Sequence, residues 1–203
     1  MNKLILLSIV GCVLQTASLL LGESNTTEIN IKGKQIQWLK FESIDSTQLY
    51  SKNNIKVDIA KPDRWILVSA DVQEKGVGSE NKSWISVNRG NVYMTINFPV
   101  KANGKSDISL NLENLFTIAS YKTIEALLPG NKVSIKYPND VMVNDKKISG
   151  ILCECNAIGD DWYQVYVGIG VNLDYSKDDL VKINQPATSV FTVSGKKLNL
   201  RTL

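Results

Sequence analysis

Residues 136–152 read KYPNDVMVNDKKISGIL. The Pro-Asn-Asp tripeptide at 138–140 directly follows a strand-like apolar segment. A proline at this place predicts a stiff turn that aims the two polar side chains after it. The Asn-Asp dipeptide at 144–145 lies between two apolar segments, which is typical of a β-hairpin. The second strand of this hairpin would bring its lysines, Lys146 and Lys147, back near the turn.

Further strands and helices are predicted on both sides of this stretch. Alternating or compact apolar runs predict strands, which cover residues 65–68, 93–98, 133–137, 141–143, 148–155 and 162–169. Helical spacing predicts a helix over 112–128 that ends at the Pro-Gly pair at 129–130, and Asp-Ser-Thr at 45–47 starts a short helix towards Asn53. Strands joined by hairpins, with two or three helices, predict an α+β (or α/β) domain. Its sheet is expected to be mixed, mostly antiparallel and backed by helices on one face.

The composition of the chain excludes several classes of site. The 203 residues suffice for one domain with a substantial core. The chain has no histidine, so Ser-His and Cys-His nucleophiles and His-ligated metals are excluded. Its formal net charge of +3 is too small to predict binding to nucleic acid. The three cysteines make no disulfide framework, so the remaining chemistry is that of lysine, carboxylates, hydroxyls and backbone amides.

Three segments follow one another along the chain. Residues 1–24 start with a single lysine and an apolar run, which is typical of a leader or an anchor, although the polar interruptions also fit an amphipathic helix. Residues 25–35 are polar and are predicted to be a linker, and residues 36–203 form the predicted folded domain. Contact with a membrane is expected only if the first segment is an anchor.

Three other segments have unusual local chemistry, and each also has an ordinary structural interpretation. Ser46 and Thr47 either cap a helix or bind a polar ligand. Residues 73–90 are a long loop with a Gly-x-Gly pair, which is either a surface loop or a site whose backbone amides face a phosphate. Residues 167–172 read VGIGVN, and their glycines serve either packing or the close approach of a ligand. When charge alone is considered, Lys146 and Lys147 are typical of solvated hairpin residues.

The order and spacing of these segments resemble the catalytic domain of biotin protein ligases, within the biotin/lipoate protein ligase family. The resemblance runs from residue 41 to the C-terminus and includes NQPATS at 184–189. The motif at 136–152 is its most specific part, since lipoate ligases share the fold but usually lack the proline-containing form. The resemblance implies a class II synthetase-like catalytic domain over 36–203. The winged helix of repressor-type members and the small C-terminal β domain are expected to be absent, so no binding to nucleic acid is expected.

The resemblance implies an ATP-dependent ligase. The carboxylate of biotin attacks the α-phosphate of ATP, which releases pyrophosphate and gives biotinyl-5′-AMP. A lysine of a biotin carboxyl carrier domain, such as that of acetyl-CoA carboxylase, then takes the biotin and releases AMP. Because two anions meet in the first step, fixed cations must stabilise the developing charge. The implied substrates and cofactors are biotin, ATP and Mg²⁺, and the implied partner is a biotin carboxyl carrier protein or a biotin-dependent carboxylase.

The resemblance also implies roles for individual residues. Lys147 is the implied catalytic cation, and Asp140 either holds the metal ion or helps the incoming lysine amine to lose its proton. The implied biotin-binding residues are Ser46, Thr47, Gln73, Thr95, Gly150, Ile151 and Gly168. The implied nucleotide-binding residues are Gly76, Gly78, Ser79, Trp84, Asn139 and Asn172.

The glycine loop departs from the family pattern. Val77 and Ser79 stand where the family usually has basic side chains. Removing one well-placed electrostatic donor commonly lowers a rate by about 10²- to 10³-fold. The adenylate would therefore form slowly or leave the site unless Lys75 or Lys82 substitutes. Two alternatives stay open, namely a ligase for another acyl cofactor such as lipoate and a degenerate, non-catalytic homologue that binds biotin or a carrier.

Location and assembly are also predicted. The need for ATP and the lack of disulfides favour the cytoplasm or an organelle matrix, while the apolar segment at 1–24 leaves targeting open. A homodimer is expected if an exposed sheet edge pairs with a second copy of the chain.

Overall fold

The structure of the chain, a computed structural model, describes residues 26–80, 82–86, 88–102 and 108–198. The predicted leader or anchor at 1–24 lies outside these residues. Within them, no helix is both long enough and apolar enough to span a membrane.

One mixed sheet organises the described part of the chain. Its strands are β1 (Thr26–Ile31), β2 (Lys34–Ile44), β3 (Arg64–Gln73), β4 (Val92–Lys101), β5 (Val133–Lys136), β6 (Asp140–Val143), β7 (Lys146–Ala157) and β8 (Trp162–Val171). The helices are α1 (Thr47–Asn54), α2 (Ile108–Leu127), α3 (Lys177–Leu180) and α4 (Val190–Ser194). The strand order is β1-β2-β3-β4-β8-β7-β6-β5, with β2 and β3 parallel and the other described neighbours antiparallel. The predicted mixed, mostly antiparallel α+β fold is therefore confirmed.

The helices lie on both faces of the sheet, so the expectation that they back one face is wrong. α1 packs on the face to which Asn97 of β4 points, where the Asn97 amide donates to Ser51 Oγ at 3.1 Å. α2 packs on the other face, where the rings of Phe98 and Phe116 lie 6.3 Å apart. Consecutive strand residues point to opposite faces, which separates the two helices. α2 covers the hydrophobic core, and α1 lies on the face that carries the polar groups described below.

The segment predicted as a linker at 25–35 belongs, in its described part, to the sheet, so that prediction is wrong. β1 pairs antiparallel with β2, and Ile31 and Ile36 are buried in the core. The turn between them, Lys32-Gly33, has positive φ angles of 49° and 83°. A two-residue hairpin turn that matches the twist of its strands needs this conformation. Isoleucines alternate with polar residues along β1, and this period of two is the signal that identifies the strand.

The predicted turn, cap and loop are all present in the structure. Asn144 and Asp145 form the turn between β6 and β7, with φ angles of 49° and 61°. Ser46 caps α1, since its hydroxyl accepts a hydrogen bond from the amide of Leu49 at 3.4 Å. The described residues 74–80, 82–86 and 88–91 belong to the long connection between β3 and β4.

Candidate active site

The N-terminus of α1 meets the end of β3. The first amides of a helix have no acceptor within the helix, and here the amide of Thr47 donates to Gln73 Oε1 at 2.8 Å. The Thr47 hydroxyl donates to the same oxygen at 3.1 Å, and Thr95 Oγ1 lies 3.0 Å from Thr47 Oγ1. Ser46 is buried beside them. The structure therefore brings four of the predicted biotin-binding residues into one buried cluster, called here the α1 cluster (Ser46, Thr47, Gln73 and Thr95).

Glycines form a floor beside the α1 cluster. Gly150 of β7 pairs with Gly170 of β8, and Gly168 pairs with Thr95 of β4. A Cβ atom on Gly170 would lie 2.5 Å from Trp84 Cε2, and one on Gly150 would lie 2.8 Å from Trp84 Cζ3. Both distances are shorter than carbon atoms tolerate, so the indole rests on this floor only because the two strands carry no side chain there.

The loop at 74–91 carries Trp84 across the glycine floor. Its start is fixed to the turn before α1, where the amide of Lys75 donates to Asp45 O at 2.8 Å. The amide of Trp84 donates to Gly76 O at 2.8 Å, and a Cβ on Gly76 would lie 2.4 Å from Trp84 O. Trp84 Nε1 is buried without a hydrogen-bond partner among the described residues. An unpaired buried N–H carries a desolvation penalty, so no hydrogen bond of the indole stabilises this position of the ring.

A β-bulge aims Lys147 at the same face as Gly150. In a regular strand, residues three apart point to opposite faces. In the β6–β7 pair, Val141 is opposite Ser149 and the next residue of β6 is opposite Lys147, so Ile148 is the extra residue. Bulges of this kind re-aim side chains and are frequent next to active sites. Lys147 Nζ consequently lies 3.1 Å from the Cβ position of Gly150.

Lys147 and Asp140 form an ion pair on this face. Lys147 Nζ lies 2.6 Å from Asp140 Oδ1, and each side chain is 17% exposed. The backbone of Lys147 is held as well, because its amide donates to Pro186 O at 3.0 Å and its carbonyl accepts from Thr188 N at 2.9 Å. The segment at 184–189 therefore fixes the strand that carries the predicted catalytic lysine.

Asn139 and Glu113 support the turn that precedes Asp140. Asn139 Nδ2 donates to Ile151 O at 2.8 Å, and Glu113 Oε1 accepts from Cys153 N at 3.2 Å. Burial raises the pKa of the Glu113 carboxyl, and its hydrogen bonds to Cys153 and Asn139 offset part of that rise. The sequence does not single out Glu113, which is one of several polar residues of α2.

Glu113→Gln is expected to change the pH dependence of folding stability. The folded-state pKa of Glu113 lies above its ordinary value of 4.5, so its contribution is most favourable below the unfolded pKa and is lost as the pH rises through the folded pKa. A glutamine keeps the oxygen that accepts from Cys153 and stays neutral. The variant should therefore gain stability relative to the wild type between about pH 4 and pH 7. Urea unfolding at both pH values measures this gain, and a constant difference between the two proteins contradicts the prediction.

Two cavities adjoin the ion pair. The first has a volume of about 40 Å³ and lies between the α1 cluster and the glycine floor. The second has a volume of about 390 Å³ and shares Trp84 and Lys147 with the first. A buried water needs roughly 10–15 Å³ on a comparable measure, so the first cavity is smaller than a ring-containing ligand. Trp84 lies between the two cavities and above the glycine floor.

The predicted site residues distribute over these cavities. The first is bordered by Ser46, Thr47, Gln73, Gly78, Ser79, Trp84, Asn139, Asp140, Lys147, Gly150, Ile151 and Gly168. Thr95 and Gly76 are buried behind this surface. Asn172 borders the second cavity, but its Nδ2 already donates to Thr188 O at 3.0 Å. The structure thus brings the predicted residues together and leaves Asn172 with a visible structural role.

A sequence model of the Biotin/lipoate A/B protein ligase family matches residues 40–172. The chain belongs to this family. The matched residues run from β2 to just beyond β8 and include the α1 cluster, the glycine floor and Lys147. The resemblance seen in the sequence motifs is therefore confirmed.

Relatives of this family member include longer proteins. The bifunctional ligase/repressor BirA of Bacillus spizizenii is 34% identical over 138 residues, which are 66% of this chain and 40% of that protein. The biotin–[acetyl-CoA-carboxylase] ligase of Paracoccus denitrificans is 32% identical over 133 residues, which are 65% of this chain and 53% of that protein. The alignments thus span about half or less of the length of these relatives.

A solved structure confirms the predicted type of fold. The biotin protein ligase from Aquifex aeolicus, in complex with biotin and ATP, is 26% identical and superposes with a TM-score of 0.59. The superposition covers 81% of this chain and 63% of that chain.

Several residues to which the family resemblance assigned no role also border the first cavity of this family member, among them Gln48 and Gly170. Gly170 had a signal, because the period of two along β8 places it on the same face as Gly168. Gln48 directly follows Thr47, and its residue type does not distinguish a site residue from an ordinary residue of a first helical turn.

The two lysines named as candidate substitutes for the missing basic side chains lie outside the first cavity. Val77 and Ser79 border this cavity, whereas Lys75 and Lys82 are not among the described residues that do. Each of these lysines pairs with an exposed carboxylate near it in the chain or fold, at 3.0 Å and 2.6 Å respectively. Lys82 borders the second cavity instead. The departure from the family pattern is therefore uncompensated at the first cavity in this structure.

Proposed function

We propose that this chain is the catalytic domain of an ATP-dependent biotin–protein ligase, which makes biotinyl-5′-AMP and transfers the biotin to a lysine of a biotin carboxyl carrier domain. The position of Lys147 carries the proposal, because this residue borders both cavities. An acid bound in one cavity and a nucleotide bound in the other would meet at this cation. The names of the relatives support these substrates, since one is a biotin–[acetyl-CoA-carboxylase] ligase and another is a biotin protein ligase in complex with biotin and ATP.

The first step joins two anions. An oxygen of the biotin carboxylate attacks the α-phosphorus of ATP, and the bond from that phosphorus to the pyrophosphate oxygen breaks. A fixed cation lowers the barrier because it offsets the repulsion and stabilises the developing charge. Lys147 is preorganised for this task by its two backbone hydrogen bonds and by Asp140. On arrival of the substrates, its ammonium group exchanges contact with Asp140 for contact with them.

The second step is an acyl transfer. The amine of the carrier lysine attacks the acyl carbon of biotinyl-5′-AMP, and AMP leaves with the electron pair of the broken C–O bond. The amine must lose a proton in this step. Asp140 is the carboxylate that borders the first cavity in the described part of the chain, so we assign it the role of proton acceptor once Lys147 has turned to the phosphate.

Mg²⁺ enters this proposal as a partner of the nucleotide. In the described ranges, no group of three or more Asp, Glu, Cys or His side chains is placed to hold a metal ion. Nucleotide-bound Mg²⁺ commonly uses one or two carboxylates together with substrate phosphates and water, and Asp140 fits the place of one such ligand. When bound, the ion supplies further positive charge at the phosphates.

Mass spectrometry of a carrier domain tests the proposed function. The full chain is incubated with a biotin carboxyl carrier domain, biotin and Mg-ATP. The carrier is expected to gain the mass of one biotinyl group, and a carrier with its acceptor lysine replaced by arginine is expected to gain nothing. No gain on the lysine carrier would contradict ligase activity and favour the non-catalytic alternative. A gain with lipoate in place of biotin, and none with biotin, would favour the lipoate-type ligase.

Ser79→Arg is expected to slow the release of the adenylate. Ser79 borders the first cavity, and an arginine there would add a charged donor to the phosphate. A hydrogen bond to a charged group typically strengthens binding by about 10- to 100-fold. Rapid filtration of the protein with preformed biotinyl-5′-AMP measures the dissociation rate of the adenylate. Ser79→Gln adds length without charge and is the matched control. Equal release from the wild type and Ser79→Arg would remove the idea that the missing basic group matters.

A further inference from the structure

Gln48 places a polar amide at the edge of the glycine floor. Its side chain is buried, with 3% of the residue exposed, and it borders the first cavity together with Gly168. A Cβ on Gly168 would lie 2.8 Å from Gln48 Oε1, so the amide oxygen occupies the space above that glycine. Thr95 Oγ1 lies 3.2 Å from the same oxygen.

Glu154 determines which end of this amide faces the cavity. Gln48 Nε2 donates to Glu154 Oε2 at 2.8 Å. An ionised carboxylate only accepts hydrogen bonds, so the NH₂ end of the amide must point towards Glu154 and the oxygen must point towards Gly168. Lys52 Nζ lies 2.6 Å from Glu154 Oε1 and holds the carboxylate in place. The amide orientation therefore follows from charge.

The two glutamines at the first cavity differ in the number of hydrogen bonds that their side-chain oxygens already accept. Gln73 Oε1 accepts from both the amide and the hydroxyl of Thr47, which occupies both of its lone pairs. The donor next to Gln48 Oε1 is the Thr95 hydroxyl. This hydroxyl has a single proton, and Thr47 Oγ1, at 3.0 Å, is a second acceptor for that proton. Gln48 Oε1 thus retains a lone pair for a ligand.

We infer that Gln48 is a specificity-determining residue, whose side-chain oxygen accepts a hydrogen bond from an N–H of the ureido ring of biotin. Glu154 and Lys52 are positioning residues that hold this oxygen towards the cavity. The inference rests on the proposed function. A dithiolane ring, such as that of lipoate, has no N–H and would leave the buried oxygen with an unpaired position. A buried polar group without a partner carries a penalty, which discriminates against such a ring.

Calorimetric titration without ATP tests this inference independently of catalysis. The probes are biotin and the two biotin analogues methylated on one or the other ureido nitrogen. The wild type is expected to bind at least one analogue about 10- to 100-fold more weakly than biotin, as expected for a lost hydrogen bond to a buried acceptor. Gln48→Met keeps the length of the side chain and removes the acceptor. It is expected to weaken binding of biotin by a similar factor and to reduce the preference over that analogue to less than about threefold.

Exchanging the side chains at positions 48 and 154 distinguishes an effect on the orientation of the Gln48 amide from a general effect on structure. Glu154→Gln offers either end of an amide to Gln48 and is expected to weaken biotin binding. Gln48→Glu alone sets two carboxylates against each other and is expected to weaken it further. In the double variant Gln48→Glu/Glu154→Gln, the carboxylate at position 48 again presents an oxygen to the cavity. The amide at position 154 then donates a hydrogen bond to this carboxylate. The double variant is expected to restore the affinity to within about threefold of the wild type.

Gln164→Met is the matched control, because Gln164 is equally buried and bonds to Ile55 and Val57 outside the cavity. It is expected to lower the thermal unfolding temperature without changing the preference for biotin over the methylated analogues. Equal binding of biotin by the wild type and Gln48→Met would overturn the inference and leave the proposed function intact. Absence of rescue in the double variant would overturn the orienting role of Glu154. A wild type that fails to bind biotin would overturn both the proposed function and the inference.

Discussion

Lys147→Met is expected to lower the rate of biotinyl-5′-AMP formation by about 10²- to 10³-fold, the range for removal of one preorganised electrostatic donor. The methionine fills a similar volume beside Gly150 and Trp84 but carries no charge, so the two anionic substrates repel each other without compensation. Asp140 makes the loss larger, because its carboxylate loses its partner at 2.6 Å and adds a negative charge to the same cavity. Release of pyrophosphate measures the rate.

Two variants define the meaning of this result. Lys146→Met removes the neighbouring exposed lysine of the same strand and is expected to retain the wild-type rate. Lys147→Arg keeps the charge but changes the geometry of the donors, and it is expected to give an intermediate rate. A wild-type rate in Lys147→Met would contradict the role of the cation and, with it, the proposed mechanism.

Gly170→Ala is expected to lower the specificity constant for adenylation by about 10²-fold, as for a displacement of about 1 Å among reacting groups. The added Cβ would stand 2.5 Å from Trp84 Cε2 and Cζ2, and it would also narrow the floor on which a flat ring can lie. Alanine suits the extended backbone of β8 at least as well as glycine, so folding stability should not fall. Kinetics of pyrophosphate release, together with thermal unfolding, distinguish the two effects.

Gly159→Ala serves as the matched control for this variant. Gly159 lies in the β7–β8 turn, where an added Cβ would meet its nearest neighbour, Trp162 Cβ, at 3.9 Å. This variant is expected to keep the wild-type rate. If Gly170→Ala keeps it as well, the bare glycine floor has no function in catalysis.

The local elements of this fold are largely predictable from the sequence. The Asn144-Asp145 dipeptide marks the central hairpin because these residue types tolerate the positive φ that its turn requires. Ser46 marks the start of α1 through its capping oxygen. β1 is missed because its composition of four polar residues and two isoleucines resembles that of a linker, although the isoleucines keep the period of two of a strand.

The arrangement of the site is less predictable than its membership. A regular strand would point Lys147 away from Gly150, and the bulge at Ile148 that reverses this depends on the register with β6, which is a property of two strands together. The same limit applies to Gln48. Its importance arises from a contact with Glu154, which is 106 residues away in the chain, and a single-sequence pattern carries no information about such a pair.

The indole of Trp84 covers Gly150 and Gly170, and this has a consequence for the time course of binding. If the ring of a ligand is to lie on the glycine floor, the indole must first leave it. Only the fraction of molecules with the indole displaced can then bind the ligand, so the apparent dissociation constant is raised by the inverse of that fraction. At high ligand concentration, the observed association rate constant then reaches a plateau. The value of this plateau is the rate constant at which the indole of Trp84 leaves the glycine floor.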